Sequence, residues 1–116
     1  MYTQVYVENK INEIIMKYDH LFTKVILFGS YSRNEQNRKS DIDLFIESPI
    51  PTNQLLTSKE YDAFHDELYK SFDYDVPFDL LVFGGKRDRE LVRNSLLFQQ
   101  VLNDGIVIYD KRAKTI

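Results

Sequence analysis

At 116 residues with 43% hydrophobic content, the chain suits one domain, residues 1–116, built around one core. It has no cysteine, which excludes disulfides, thiolate zinc sites and thiol nucleophiles. A net charge of -3 argues against a grip on long nucleic acid, and no apolar run approaches the ~20 residues of a membrane span.

The first ten residues, MYTQVYVENK, lack a signal-peptide layout, so the expected location is the cytoplasm. Residues 3–18 predict an amphipathic helix, with Val7, Ile11, Ile14, Ile15 and Tyr18 at helical spacing. Residues 25–28 form a short apolar run ending at Gly29, which predicts a buried strand. Residues 30–36 are polar and predict a short helix, and 37–39 a loop. Residues 41–47 predict a strand with Asp41, Asp43 and Phe45 on one face and Ile42, Leu44 and Ile46 on the other.

Pro49 and Pro51 predict a loop. Thr57 and Glu60 fit a capping box, opening a helix to about residue 72 with Tyr61, Phe64, Leu68 and Phe72 inward. Residues 73–77 predict a turn and 78–83 a third strand, ended by Gly84 and Gly85. Residues 88–103 predict one helix with Leu91, Ser95, Phe98 and Leu102 on its inner face and Gly105 as C-cap. Residues 106–109 predict a closing strand. The alternation of elements and their short connections predict an α/β (mixed α+β) fold, a small mixed twisted sheet with helices packed on it.

One spacing carries the chemistry: Gly29-Ser30, ten residues, then Asp41-Ile42-Asp43. Four such fixed positions should recur by accident on the order of once in a thousand chains of this size. Gly29 lets backbone approach a phosphate closely, and Ser30 offers a hydroxyl and an N–H at an expected helix N-terminus. Arg33, one turn on, suits a fork onto phosphate oxygens, and Ser40 could reach a phosphate or steady the loop. Asp41 and Asp43, two apart on a strand, project side by side and repel unless a cation lies between them. Oxygen-only donors select a hard cation, Mg²⁺ or Mn²⁺. Asp79 interrupts an apolar strand and is the candidate third carboxylate, with Asp75 in reserve.

These residues resemble the nucleotidyltransferase superfamily that includes DNA polymerase beta, and the chain length is similar to the minimal nucleotidyltransferases. The resemblance spans about residues 1–110. It departs in two places: Ser32 stands where Ala is common, and Asn34 where Gly is common. The resemblance implies a palm-like nucleotidyltransferase fold and two Mg²⁺ ions held by Asp41, Asp43 and Asp79. It implies nucleotide contacts from Gly29, Ser30, Arg33 and Ser40, and ATP as substrate. It also implies a partner: an all-helical HEPN-type toxin, neutralised when AMP is transferred to one of its tyrosines.

Blander readings stand beside these. The Gly-Ser and Asp-x-Asp set could be a turn before a solvated strand edge, Asp79 an edge-strand charge in water, and Arg33 a solvated helix charge. Asp73 and Asp75 read as turn residues, and Lys86, Arg87, Arg89 and Arg93 as an exposed helix face. His20 and His65 have no metal-spaced companion. Two other functions compete with enzymatic adenylylation. One is an antitoxin acting by contact alone. The other is antibiotic nucleotidylation, whose pocket a homo-oligomer would have to complete.

Overall fold

The computed structural model describes residues 1–112. The first helix, α1, is Gln4–Lys17, capped by Thr3, whose hydroxyl accepts from the Tyr6 N–H. Its buried side chains are Val7, Ile11, Ile14 and Ile15, the stripe expected from the spacing. A 3₁₀ turn at Asp19–Leu21 leads to β1, Lys24–Phe28. β2 is Ile42–Ser48, so Asp41 stands just ahead of the strand.

Between the two strands the helix expected over 30–36 does not form. The chain makes turns over 30–34, with Arg33 N–H reaching the Gly29 carbonyl at 3.3 Å and Glu35 N–H the Ser30 carbonyl at 2.9 Å. Asn34 ends the turn in left-handed backbone (φ 56°), a conformation Asn tolerates where most side chains do not. Seven residues broken by that conformation cannot propagate a helix.

After β2, a helix occupies part of the expected loop: α2, Thr52–Leu56. Pro51 sits at its N-cap, where a missing N–H costs nothing. α3 is Lys59–Ser71, and its cap is Ser58 rather than Thr57. Ser58 Oγ accepts from the Tyr61 N–H at 3.1 Å, whereas Thr57 Oγ1 bonds back to the Asn53 carbonyl. Tyr61, Phe64, Leu68 and Phe72 are buried, as the spacing requires.

β3 is Phe78–Gly84. The single helix expected over 88–103 is two, α4 (Gly85–Arg93) and α5 (Leu96–Asp104). Ser95 breaks the run because its hydroxyl caps α5, accepting from the Phe98 N–H. The break turns the helix face: Val92 and Val101 are buried, while Leu91 and Leu102 are 62% and 49% exposed. β4 is Ile106–Asp110.

The strands form one mixed sheet in the order β3-β2-β1-β4, with β2 and β3 parallel and β1 antiparallel to both its neighbours. Helices lie on both faces. α1, α2 and α3 cover the first face, over Val25, Leu27, Ile42, Leu44 and Ile46. α4 and α5 supply Val92, Val101 and Phe98 to a smaller cluster over Ile26 and Phe45 on the second face. That cover ends short of Asp43, which is half-buried, and of Asp79, which is exposed.

Candidate active site

Strand alternation and register build the acidic end of the second face. Asp43 on β2 pairs with Asp79 on β3 and with Phe28 on β1. Cross-strand partners project to the same side, so the two carboxylates are neighbours. The Ile42 N–H donates to the Pro77 carbonyl at 2.9 Å, fixing the start of the pairing. Asp41, exposed ahead of β2, lies near enough to act electrostatically on Asp43. Burial, then Asp79 and Asp41, push the Asp43 carboxyl up to about 6, with Arg33 opposing. Asp79 lies on an edge strand, as its blander reading held, yet it faces Asp43. Asp75 is in the turn before β3 beside Tyr2 and is not among the charges acting on Asp43.

Gly29 closes the site from below. Its φ of 75° lies in the left-handed region, and a Cβ there would collide with Asp43 Oδ2. Both conditions require glycine. The turn that follows is anchored from inside. Tyr31 is 1% exposed and plugs the core, and Gln4 Nε2 on α1 donates to the carbonyls of Tyr31 and Ser32 at 3.0 and 2.9 Å. Ser32 Oγ donates to the Gly29 carbonyl at 2.7 Å. Gln4 and Tyr31 are thus positioning residues that the sequence pattern did not single out. The signal for Tyr31 was there, one aromatic among polar neighbours. Gln4 carried none, because its partners are backbone carbonyls far along the chain.

The remaining candidate residues take different places. Ser30 sits in the turn without the helix N-terminus expected for it. Ser40 Oγ accepts from the Asn37 N–H at 2.8 Å, so it steadies the loop. Arg33 is held loosely, 3.6 Å from Glu35 and 3.9 Å from Asp104, with its side chain 42% exposed. His20 pairs with Glu60, and the His65 ring packs against Tyr69; neither is among the charges acting on Asp43.

The site fits a divalent cation by donor chemistry and by charge. Three carboxylates share one edge with Arg33 as the cation acting on Asp43. Among the described residues, however, no cluster of three or more His, Asp or Glu side chains stands at metal-ligand spacing, so the three carboxylates are not gathered around one point.

Comparison with known proteins bears on the family and the fold. The family described as nucleotidyltransferase domain matches residues 8–102. A Methanocaldococcus jannaschii protein named as a candidate protein adenylyltransferase is 48% identical over 71 residues, covering 60% of this chain and 65% of that protein. The matched stretch thus spans just under two thirds of that relative. Two crystal structures share the fold, each covering 92% of this chain and 76% of its own. One is a mutant of the toxin-antitoxin pair MntA-HpeT (TM-score 0.62, 23% identity), the other a toxin-antitoxin structure with AMP-PNP (TM-score 0.62, 25% identity). With a family match across most of its length and the carboxylate pair in register, the chain belongs to the nucleotidyltransferase domain family.

Proposed function

We propose that this protein is a Mg²⁺-dependent nucleotidyltransferase that moves AMP from ATP to a hydroxyl of a partner protein, a tyrosine of an all-helical HEPN-type toxin. The observation that carries the reading is the Asp43–Asp79 pair beside Gly29, an excess of negative charge facing an open edge. The name of the archaeal relative supports a protein acceptor, and the toxin-antitoxin neighbours support the class of partner. AMP-PNP in one of them supports a nucleoside triphosphate as donor.

In this reading Asp41, Asp43 and Asp79 hold the divalent ions, which supply charge neutralisation to the phosphates when bound. Gly29 lets the turn backbone approach the triphosphate, while Ser30 and Arg33 donate to its oxygens. Ser40 keeps the loop ahead of Asp41 in place. The acceptor oxygen attacks the α-phosphorus in line, the bond to pyrophosphate breaks, and the hydroxyl proton passes to the Asp79 carboxylate and then to water. The products are an adenylylated hydroxyl and pyrophosphate. Orientation of the acceptor comes from the partner, because the acid edge is open on its outer side.

A second reading is favoured by the spread of the three carboxylates: an antitoxin that neutralises its partner by contact alone. One experiment separates the two. The protein is incubated with α-labelled ATP, Mg²⁺ and the protein encoded beside it. Label on the partner that disappears with Asp41→Asn supports transfer. Absence of label, with neutralisation retained by an Asp41→Asn/Asp43→Asn double variant, supports contact.

A further inference from the structure

The second sheet face has another charged end, about four residues along β2 from Asp43. A cavity of about 420 Å³ opens there, lined by Thr23, Lys24, Arg89, Arg93, Lys111 and Arg112. Five cationic side chains on one cavity stand out in a chain of net charge -3. They come from separated parts of the sequence: Lys24 opens β1, Arg89 and Arg93 sit one turn apart on α4, and Lys111 and Arg112 follow β4. The basic cluster read from the sequence is therefore divided. Arg89 and Arg93 turn to this cavity, while Lys86 and Arg87 line another groove with Glu90 and Leu91.

The carboxylates near the cavity each pair with a cation, although the second oxygen of Glu47, Oε1, is buried with no partner among the described residues. Glu47, 0% exposed, accepts from Arg93 Nη2 at 3.0 Å, anchoring the guanidinium from beneath while 43% of the Arg93 side chain stays exposed. Asp110 lies 3.8 Å from Lys24 and 3.9 Å from Arg112. Among the described residues no carboxylate pairs with Arg89, whose Nε donates to the Gly85 carbonyl at 3.2 Å, or with Lys111. The wall is tied by main-chain bonds: Thr23 donates its N–H to the Glu47 carbonyl at 2.8 Å, and its own carbonyl accepts from the Lys111 N–H at 2.9 Å. The Thr23 hydroxyl oxygen is buried there with no partner among the described residues.

We propose that this cavity is a second anion site that takes a small, multiply charged phosphate compound, separate from the acidic end. Two planar guanidiniums at i and i+4 suit phosphoryl oxygens, and the positive charge of Arg89, Arg93 and Lys111, beyond the Glu47 carboxylate that pairs with Arg93 among the described residues, suits a polyanion. The cations converge on one cavity rather than line a stripe, which favours a compact ligand over an oligonucleotide.

The test is an NMR titration of the ¹⁵N-labelled full chain at fixed ionic strength in EDTA, where the acidic end repels anions. Inorganic pyrophosphate and AMP are the probes, separating free polyphosphate from a nucleotide's phosphate. Saturable shifts at Lys24, Arg89, Arg93 and Lys111 with either probe are expected. Arg89→Gln/Lys111→Gln, which spares the buried Glu47 pair, should weaken them about tenfold or more. Asp41→Asn/Asp43→Asn should leave them unchanged, so loss of transfer activity and loss of this site are read separately. The proposal is overturned by affinity unaltered in Arg89→Gln/Lys111→Gln, by shifts centred on residues 29–43, or by tighter binding of a single-stranded oligonucleotide than of either probe.

Discussion

Asp43 and Glu47 sit on the same strand and the same face, about 13 Å apart at the rise of a β-strand. Glu47 is fully buried yet matched by Arg93, a cation delivered by α4. Asp43 is only half-buried, but its near neighbours include two carboxylates, with Arg33 too loosely held to balance them. One end of the face pairs its buried acid with a cation, leaving only Glu47 Oε1 without a partner among the described residues, and the other sets like charges side by side. An acid in a sheet is therefore no signal by itself: the charge of what packs over it decides between scaffold and site.

Substitutions at the two ends should break in opposite ways. Asp43→Asn should lower transfer by on the order of 10³-fold, about 4 kcal/mol of barrier. It should leave the melting temperature at neutral pH unchanged or higher, since it removes a carboxylate the fold does not favour. A label-transfer assay beside a thermal melt reads both. Arg93→Gln should instead strand the Glu47 charge and cost about 3 kcal/mol in urea unfolding, with little direct effect on chemistry. If Arg93→Gln proves neutral in stability and Asp43→Asn destabilising, the contrast fails.

Gly29→Ala sharpens the acidic end further. The left-handed φ and the collision with Asp43 Oδ2 together should cost about 1–2 kcal/mol and displace the carboxylate, lowering transfer as well.

The smallest expected effect is on pH dependence. The Asp43 carboxyl is raised from 3.8 to about 6 in the fold, so the folded state binds its proton more tightly than the unfolded chain. That contribution is complete below its ordinary value and is lost as pH rises through about 6. In EDTA, stability should therefore decline across that window, and Asp43→Asn should flatten the decline in melts taken at several pH values. Added Mg²⁺ should restore stability at neutral pH in the parent chain but not in Asp41→Asn/Asp43→Asn.

Much of this was legible in one dimension because it is periodic or local. Alternation along β2 placed Asp43 with Phe45 and opposite Leu44, and the helical spacing of α1 and α3 named their buried faces. The Gly-Ser and Asp-x-Asp spacing located the acidic end, and Asn34 took the backbone its residue type permits. Tertiary structure decided the rest. Only cross-strand register could set Asp79, rather than Asp75, beside Asp43, since pairing between strands distant in sequence leaves no local trace. Only packing could show that Ser95 splits a helix, that Gln4 holds the turn after Gly29, and that Arg93 belongs to a buried Glu47. These depend on groups far apart along the chain, whose energies exist only once the sheet has brought them together.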